Sequence, residues 1–404
     1  MAGLDPMDLQ DRKILLGVTG GVAAYKACEL ARRLQDQGAQ VHAILTHGAL
    51  HFVTPTMLQA VTGRPAYVEL WDERFETGMG HITLSRDADA LVVAPATAHF
   101  IAKLAHGLCD DLLSTLALAR PRERCRLLVA PAMNVEMWEH PATERNVRAI
   151  VADGAVVLGP GVGDQACGEV GSGRLLEPLE IVEDVVAALQ FKCLQRRRVL
   201  VTAGPTFEPI DPVRGITNRS SGKMGYAIAR AAREAGAEET LVSGPTGLPA
   251  PRGVRRLDVV TAREMHEAVM SQAGAAHVFV AVAAVADWRV EQPGTAKMKK
   301  SVPPEPVTIR FVPNPDILAE VAALPSPPFC VGFAAESERL VENARAKLAA
   351  KKLSLVIANR AQDAIGADDS ELILVDERAS VTLARASKLE QARRIVAEIA
   401  ARLG

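Results

Sequence analysis

Short apolar runs alternate along this chain with longer stretches in which apolar residues recur every third or fourth position. Ile14 to Val18 reads as a buried strand, followed by Thr19-Gly20-Gly21. From Val22 to Gln37 the apolar positions Ala23, Ala27, Leu30, Ala31 and Leu34 mark one face of a helix. Gly38 stops it before a second strand at Val41 to Thr46. Strand, glycine turn, helix, strand is a βαβ unit, which predicts a parallel sheet with a right-handed crossover. Ala90 to Ala94 and Leu127 to Ala130 repeat the strand pattern, each running into a proline turn, and Ala155 to Leu158 is expected to add another. Ile82 to Leu84 alternates with period 2.

After a helical stretch from Leu179 to Gln190 the pattern restarts. Gln195-Arg196-Arg197-Arg198 leads into a strand at Val199 to Thr202. A long polar loop and a helix from about Met224 to Glu234 follow; Gly236 stops that helix before a strand at Thr240 to Ser243. Val278 to Val282, Cys330 to Phe333 and Leu355 to Ala358 supply further strands, and Thr295 to Pro306, rich in Pro and Lys, reads as an exposed loop. The second half is a second α/β domain on the same βαβ logic, without being a sequence repeat, and the boundary is placed near residue 193.

Composition narrows the function. A chain of 404 residues suits two or three domains. Lys plus Arg is 46 against 48 for Asp plus Glu, so the positive excess of a nucleic-acid-gripping surface is missing. With 49% hydrophobic and 23% charged residues the chain is too apolar for disorder. Cys28, Cys109, Cys125, Cys167, Cys193 and Cys330 form no Cys-x-x-Cys pair, which favours a reducing compartment over a disulfide framework. Met1 to Asp11 has no apolar core of signal-peptide type, and the longest apolar run, Val278 to Ala286, is about half of what a membrane span needs. A cytoplasmic protein without membrane or nucleic-acid partners is expected.

Candidate chemistry in the first half gathers at predicted strand ends, where open parallel sheets bind ligands. Gly20-Gly21 is either an anion site at a helix start or only a tight turn. Asn134, in Pro131-Ala132-Met133-Asn134, can bind a carboxylate or phosphoryl group, or simply cap the next helix. His81 is a catalytic histidine or a surface one. Gln165 to Arg174, with three glycines around Cys167, looks like a mobile flap; its cysteine is expected to be exposed and able to carry a proton, although most free cysteines are inert.

The second half is denser. Thr202-Ala203-Gly204-Pro205-Thr206 ends a strand. Further on, Arg214 and then Asn218-Arg219-Ser220-Ser221-Gly222-Lys223-Met224-Gly225 offer hydroxyl, amide and bidentate guanidinium donors to a phosphate. The alternative is a helix cap with solvated charges, and the spacing is not that of a Walker motif. Asp287 at a strand end, with Lys297-Met298-Lys299-Lys300 beyond it, suits a nucleoside triphosphate and Mg²⁺. Asn314-Pro315-Asp316-Ile317 and Gly332-Phe333-Ala334-Ala335-Glu336 read as two more strand-to-helix junctions, and Lys347 and Lys351 lie one turn apart on a helix.

Six blocks resemble the bifunctional bacterial phosphopantothenoylcysteine decarboxylase / phosphopantothenate–cysteine ligase family of coenzyme A biosynthesis. They are Gly20 to Lys26, Ala94 to Ala98, Pro131 to Asn134, Ala166 to Gly168, Asn218 to Gly225 and Ala283 to Trp288. The resemblance covers nearly the whole chain. It implies an α/β protein of two doubly wound, mostly parallel-sheet domains: a flavodoxin-like flavoprotein domain over 1–193, then a Rossmann-like ligase domain over 194–404. In the first, Gly20, Gly21, Thr46, Pro95, Ala96, Thr97 and Met133 match positions that hold FMN. His81 matches the active-site histidine, Asn134 the group that binds the substrate carboxylate, and Cys167 the flap proton donor. In the second, Asn218 matches the residue needed for an acyl-cytidylate, with Arg214 beside it for substrate. Ala281, Val282, Ala283, Asp287, Lys297, Pro315, Asp316, Ile317, Leu318, Phe333, Lys347 and Lys351 match CTP-binding positions, and Lys297 is also implied to be catalytic. The implied substrates are 4'-phosphopantothenate, L-cysteine and CTP with Mg²⁺, and the implied assembly is a homo-oligomer of trimeric decarboxylase and dimeric ligase units. Two other readings stay open: a different flavin decarboxylase or prenyltransferase fused to a nucleotide-binding domain, and a catalytically silent flavoprotein acting as a regulatory subunit.

Overall fold

In the first half the runs without a polar face become the interior of a parallel sheet. The strands and helices are β1 (Lys13–Val18), α1 (Lys26–Asp36), β2 (Gln40–Leu45), α2 (Pro55–Thr62), α3 (Gly80–Arg86), β3 (Ala90–Ala96), α4 (Ala98–His106), α5 (Leu112–Ala119), β4 (Arg126–Pro131), α6 (Val135–Glu139), α7 (Pro141–Ala152), β5 (Val156–Val157), β6 (Gly161–Asp164), β7 (Val170–Arg174) and α8 (Pro178–Leu189). The computed structural model describes residues 7–71, 80–165, 168–299, 306–360 and 366–404. They form two compact units, one ending at Gln190 and one running from Phe191 to Gly404.

The first unit's sheet has the order β2-β1-β3-β4-β5, all parallel. β3 is buried at every position, as a central strand covered on both faces must be. Leu30 and Leu34 of α1 and Ile181 and Val185 of α8 cover one face. Phe100 of α4, Leu113 and Leu116 of α5 and Ile150 of α7 cover the other. The strand order reverses between β1 and β3, the flavodoxin-like arrangement.

Three local expectations change. The helix expected from Val22 opens as a 3₁₀ turn, Val22–Tyr25, and becomes α-helical only at Lys26. Ile82 to Leu84 is not extended but lies in α3, where Gly80 and Leu84, one turn apart, are both buried. In the glycine-rich segment Gln165 to Arg174, expected to be a flap, Val170–Arg174 forms β7 and pairs antiparallel with β6, which precedes the segment.

The second unit comprises β8 (Arg198–Ala203), β9 (Phe207–Pro209), β10 (Gly215–Thr217), α9 (Lys223–Glu234), β11 (Glu238–Ser243), β12 (Arg255–Asp258), α10 (Ala262–Ala273), β13 (Val278–Ala281), β14 (Trp288–Val290), β15 (Phe311–Pro313), α11 (Ile317–Ala322), β16 (Phe329–Glu336), α12 (Leu340–Lys351), β17 (Leu355–Arg360), β18 (Asp369–Val375), β19 (Ser380–Ser387) and α13 (Lys388–Leu403). Its main sheet runs β12-β11-β8-β13-β16-β17-β18-β19; it is parallel as far as β17 and antiparallel beyond. The first six strands follow the 3-2-1-4-5-6 order of a Rossmann sheet, with the reversal between β8 and β13. β9–β10 and β14–β15 are separate two-stranded arms. Gly38 and Gly236, expected to stop helices, both take positive φ (87° and 88°) just past α1 and α9.

Candidate active sites

At the first reversal point one buried side chain ties two strand ends together. Thr19 donates from Oγ1 to the carbonyl of Pro95 at 2.8 Å and accepts the Thr97 amide at 3.0 Å. Thr97 in turn caps α4 by accepting the Phe100 amide at 3.2 Å, which leaves the Ala98 and His99 amides as helix-start donors without a partner among the described residues. Thr46 brings in the end of β2, its amide donating to Val18 O at 3.1 Å. The two glycines differ. A Cβ on Gly20 would lie 2.7 Å from the backbone of Gly48, so this glycine serves the close approach of two loops. A Cβ on Gly21 would meet only Thr97 Cγ2, at 3.8 Å, so Gly21 borders open space where a ligand can approach the chain. Ala96 is fully buried and offers only its backbone.

Asn134 does what its bland reading says, and more. Its Oδ1 accepts the Met137 amide at 3.1 Å as the cap of α6, which fixes the amide plane, while Nδ2 points toward Glu169 at 3.4 Å. The β6–β7 hairpin lies on this segment: Met133 N–H donates to Gly173 O at 3.0 Å, and Val135 N–H to Gln165 Oε1 at 3.0 Å. A Cβ on Gly173 would sit 2.3 Å from Met133 O, so this glycine serves the contact. Cys167, between the two strands, lies outside the described residues. His81, in the first turn of α3, has a buried Nδ1 without a hydrogen-bond partner among the described residues. No hydrogen bond joins it to the Asn134 segment among those residues.

In the second unit two threonines, Thr202 near the end of β8 and Thr206 in the loop after it, stitch this region to the loop after β13. Thr202 Oγ1 accepts the amides of Val282 and Ala283 at 3.2 and 3.3 Å, and Thr206 Oγ1 accepts that of Ala286 at 3.0 Å. Asn218 joins them, Nδ2 donating to Ala284 O at 3.0 Å. The expected phosphate cradle at the start of α9 is differently built. Gly222 has φ 75°, and a Cβ there would meet Thr246 and Gly204, so that junction is filled by the chain itself. Lys223 pairs with Asp368. Arg214 does not present a free fork: Nε and Nη2 both bond Asp211.

Basic groups gather instead at the end of β16. Lys347 donates to Phe333 O at 2.6 Å, and Lys351 pairs with Asp316 at 2.7 Å. Burial first, and the neighbouring Lys351 charge second, pull the Lys347 ammonium below its ordinary pKa, against the field of Asp316, Glu336 and Asp287. Burial opposes the Asp316 carboxylate, but Lys351 and the Ala319 amide outweigh it and hold its pKa low. Ile317 and Leu318, expected at the nucleotide, point into the core, leaving their backbone at the junction. Lys297 and Asp287 are exposed. Nothing in the sequence marks Thr19, Thr202, Thr206 or Asp211 as functional; each bonds at least one residue far along the chain.

Two doubly wound units, each with polar groups converging at its reversal point, define a two-site flavoprotein-type enzyme. Residues 4–190 match the flavoprotein family, and 194–403 match the DNA/pantothenate metabolism flavoprotein C-terminal domain. The coenzyme A biosynthesis bifunctional protein CoaBC of Vibrio cholerae is 50% identical over 352 residues, 87% of this chain and 88% of its own. That of Bacillus subtilis is 41% identical over 401 residues, 97% of this chain and 98% of its own. The chain belongs to this family of coenzyme A biosynthesis bifunctional proteins. Among solved structures it is similar to the C-terminal domain of a CoaBC protein (37% identity, 52% of this chain, 98% of that one, TM-score 0.46). It is also similar to a PPC decarboxylase mutant complexed with pantothenoylaminoethenethiol (33% identity, 44% and 97%, TM-score 0.39). Among the described residues no helix is long and apolar enough to cross a membrane.

Proposed function

We propose that residues 194–404 join 4'-phosphopantothenate to L-cysteine using CTP, and that residues 1–193 decarboxylate the product with FMN to 4'-phosphopantetheine. The observation that carries this is the presence, in one chain of this family, of two strand-end sites with different donor sets: amides and hydroxyls where β1 and β3 part in the first unit, lysines at the end of β16 in the second.

FMN, when bound, supplies the two-electron uptake and return that lets the carboxylate leave without net redox change. Gly21 and the Ala98 and His99 amides suit its phosphate, and Gly20, Thr46, Pro95, Ala96, Thr97 and Met133 form the walls. Asn134, its plane fixed by capping, holds the substrate carboxylate through Nδ2. The unpartnered Nδ1 of His81 handles the substrate's proton, and Cys167 returns one at the end.

In the ligase half the carboxylate of 4'-phosphopantothenate attacks the α-phosphorus of CTP, and pyrophosphate leaves. The amine of cysteine then attacks the acyl carbon, and CMP leaves. Asn218 holds the acyl-cytidylate, with Arg214 beside it, while Lys297 meets the charge that develops on the leaving pyrophosphate. Lys347 and Lys351 bind the nucleotide with Asp316, Phe333 and the backbone of Ala281, Val282, Ala283, Pro315, Ile317 and Leu318. Among the described residues no group of three or more His, Cys, Asp or Glu could hold a metal. Mg²⁺ arrives on the triphosphate, and Asp287 is the carboxylate we place beside it. We place the enzyme in the cytoplasm as a homo-oligomer of trimeric decarboxylase and dimeric ligase units, to be read by light scattering.

The test is direct. The purified chain should be yellow, with a flavin absorption spectrum, and should release pyrophosphate from CTP when given 4'-phosphopantothenate. A colourless protein that FMN cannot reconstitute overturns the first half, and no pyrophosphate overturns the second.

Lys347 adds a pH prediction. Its free-state pKa lies below 10.5, and a bound phosphate favours the charged form. Above that lowered pKa the free lysine is neutral, and binding must take up a proton. The KM for CTP should therefore climb with rising pH before an ordinary lysine would titrate. Lys347→Met should raise KM throughout and flatten this limb; an unchanged profile removes Lys347 from the nucleotide.

A further inference from the structure

The Asp211 side chain is wholly buried and joins two segments far apart in sequence. Its Oδ1 accepts the amides of Val213 and Arg214, both at 2.8 Å. Its Oδ2 accepts Arg214 Nε at 3.0 Å and the amide of Met298 at 3.1 Å. Arg214 Nη2 also bonds Oδ2 and donates to the carbonyl of Met298 at 3.0 Å. The residue after Lys297 is thus gripped at both its N–H and its C=O. Gly294 N–H to Ile210 O, at 2.9 Å, aligns the same two segments.

A local turn would need only Oδ1; the other oxygen is committed to Arg214 and to residue 298. Burying a carboxylate this fully is costly without such partners. Arg214 first, and the three amides after it, hold the carboxyl far below the usual range, so it stays charged at neutral pH. From the same arm the chain passes through β10 to Thr217, whose Oγ1 donates to Thr206 O at 2.8 Å, and to Asn218, whose Nδ2 donates to Ala284 O at 3.0 Å. One end of the arm therefore fixes Asn218 and the other fixes the main chain beside Lys297.

We propose that Asp211 is a positioning residue of the ligase reaction, setting Lys297 at a fixed place relative to Asn218 by clamping the main chain of Met298. This rests on the ligase reading above, in which Lys297 and Asn218 touch the reacting atoms.

Asp211→Asn keeps the shape and the Oδ1 acceptor but turns an NH₂ toward the Met298 amide and Arg214. In the full chain, kcat for pyrophosphate release from CTP should fall about 100-fold, the scale of a misplaced group. KM for CTP should move by less than about threefold, because the loss is in the transition state. Decarboxylation of supplied phosphopantothenoylcysteine by the same preparation should be unchanged. Added to Lys297→Ala, Asp211→Asn should cost less than about twofold more, since the two act as one unit.

If the double variant instead loses the product of the two single effects, or if Asp211→Asn alone keeps full kcat, the clamp is overturned. Should Asp211→Asn abolish the ligase half's melting transition, Arg214→Lys carries the same measurements, since lysine keeps the charge but not the fork. A wild-type chain that releases no pyrophosphate overturns the ligase reading and the clamp with it. An active wild type with an additive double variant overturns the clamp alone.

Discussion

Gly225→Leu is expected to abolish pyrophosphate release from CTP while leaving the chain yellow and active as a decarboxylase. A Cβ at this position would lie 2.5 Å from Ala203 Cβ and 3.1 Å from both Ala203 Cα and Thr202 O. Two of those three neighbours are backbone atoms of β8 and cannot rotate away. The glycine therefore lets α9 lie directly on the strand whose end carries Thr202, Gly204 and Thr206. Leucine must push the helix outward, and overpacking costs typically about 1–3 kcal/mol, more where backbone has to move. The displacement would open the junction of Gly204, Gly222 and Thr246 and shift Asn218, five residues before α9 begins. A calorimetric scan should show the ligase half's transition lowered or lost and the other retained. Full ligase activity in Gly225→Leu would mean that α9 does not rest on β8 as described. In sequence this glycine stands in the block Asn218 to Gly225 and looks like part of a phosphate loop; its reason is helix-to-strand packing.

That contrast shows what a sequence of this kind makes legible. The parallel strands could be read because they are buried on both faces: Ala90 to Ala94 and Val278 to Val282 have no polar position to mislead. The sequence does not announce the β18–β19 pair, although Ser370, Leu372 and Leu374 alternate inward on β18, because β19 is largely exposed and gives no matching signal. The small arms β9–β10 and β14–β15 escape because each of their strands is three residues long, too short to show a period. Ile82 to Leu84 misleads because three residues fit either period, and its burial is decided by neighbouring elements rather than by its own pattern.

Site residues divide along a similar line. Those placed at a strand end by local sequence, such as Gly21, Thr97 and Asn134, could be picked out and do stand at a strand end. What they do there depends on partners that no spacing reveals. Arg214 looks like a phosphate fork until Asp211 is seen to occupy it. Gly20 and Gly21 look equivalent until Gly48 is found against only one of them.

Thr19→Val should do to the first half what Gly225→Leu does to the second. The substitution keeps the side chain's volume and β-branch while deleting the hydroxyl that donates to Pro95 O and accepts the Thr97 amide. Both partners then face an apolar methyl at a residue that is 1% exposed, with Thr97 itself half-buried. The Thr97 amide loses its acceptor outright, at a cost of about 1–3 kcal/mol, whereas Pro95 O keeps the weaker bond from Thr19 N–H. On the proposed reading the loss falls on the geometry that matters, because Gly21 and the first turn of α4 would meet one phosphate and need a fixed separation. Since about 1.4 kcal/mol is a factor of ten in affinity, the flavin should weaken by roughly tenfold or more and leave during gel filtration. Decarboxylation should fall with it and recover on adding FMN, while pyrophosphate release from CTP stays as in wild type. Thr19→Ser, which restores the hydroxyl, should restore the colour. A Thr19→Val chain that keeps its flavin through gel filtration would mean that the strand ends hold their spacing without this bond, and that the flavin is gripped elsewhere.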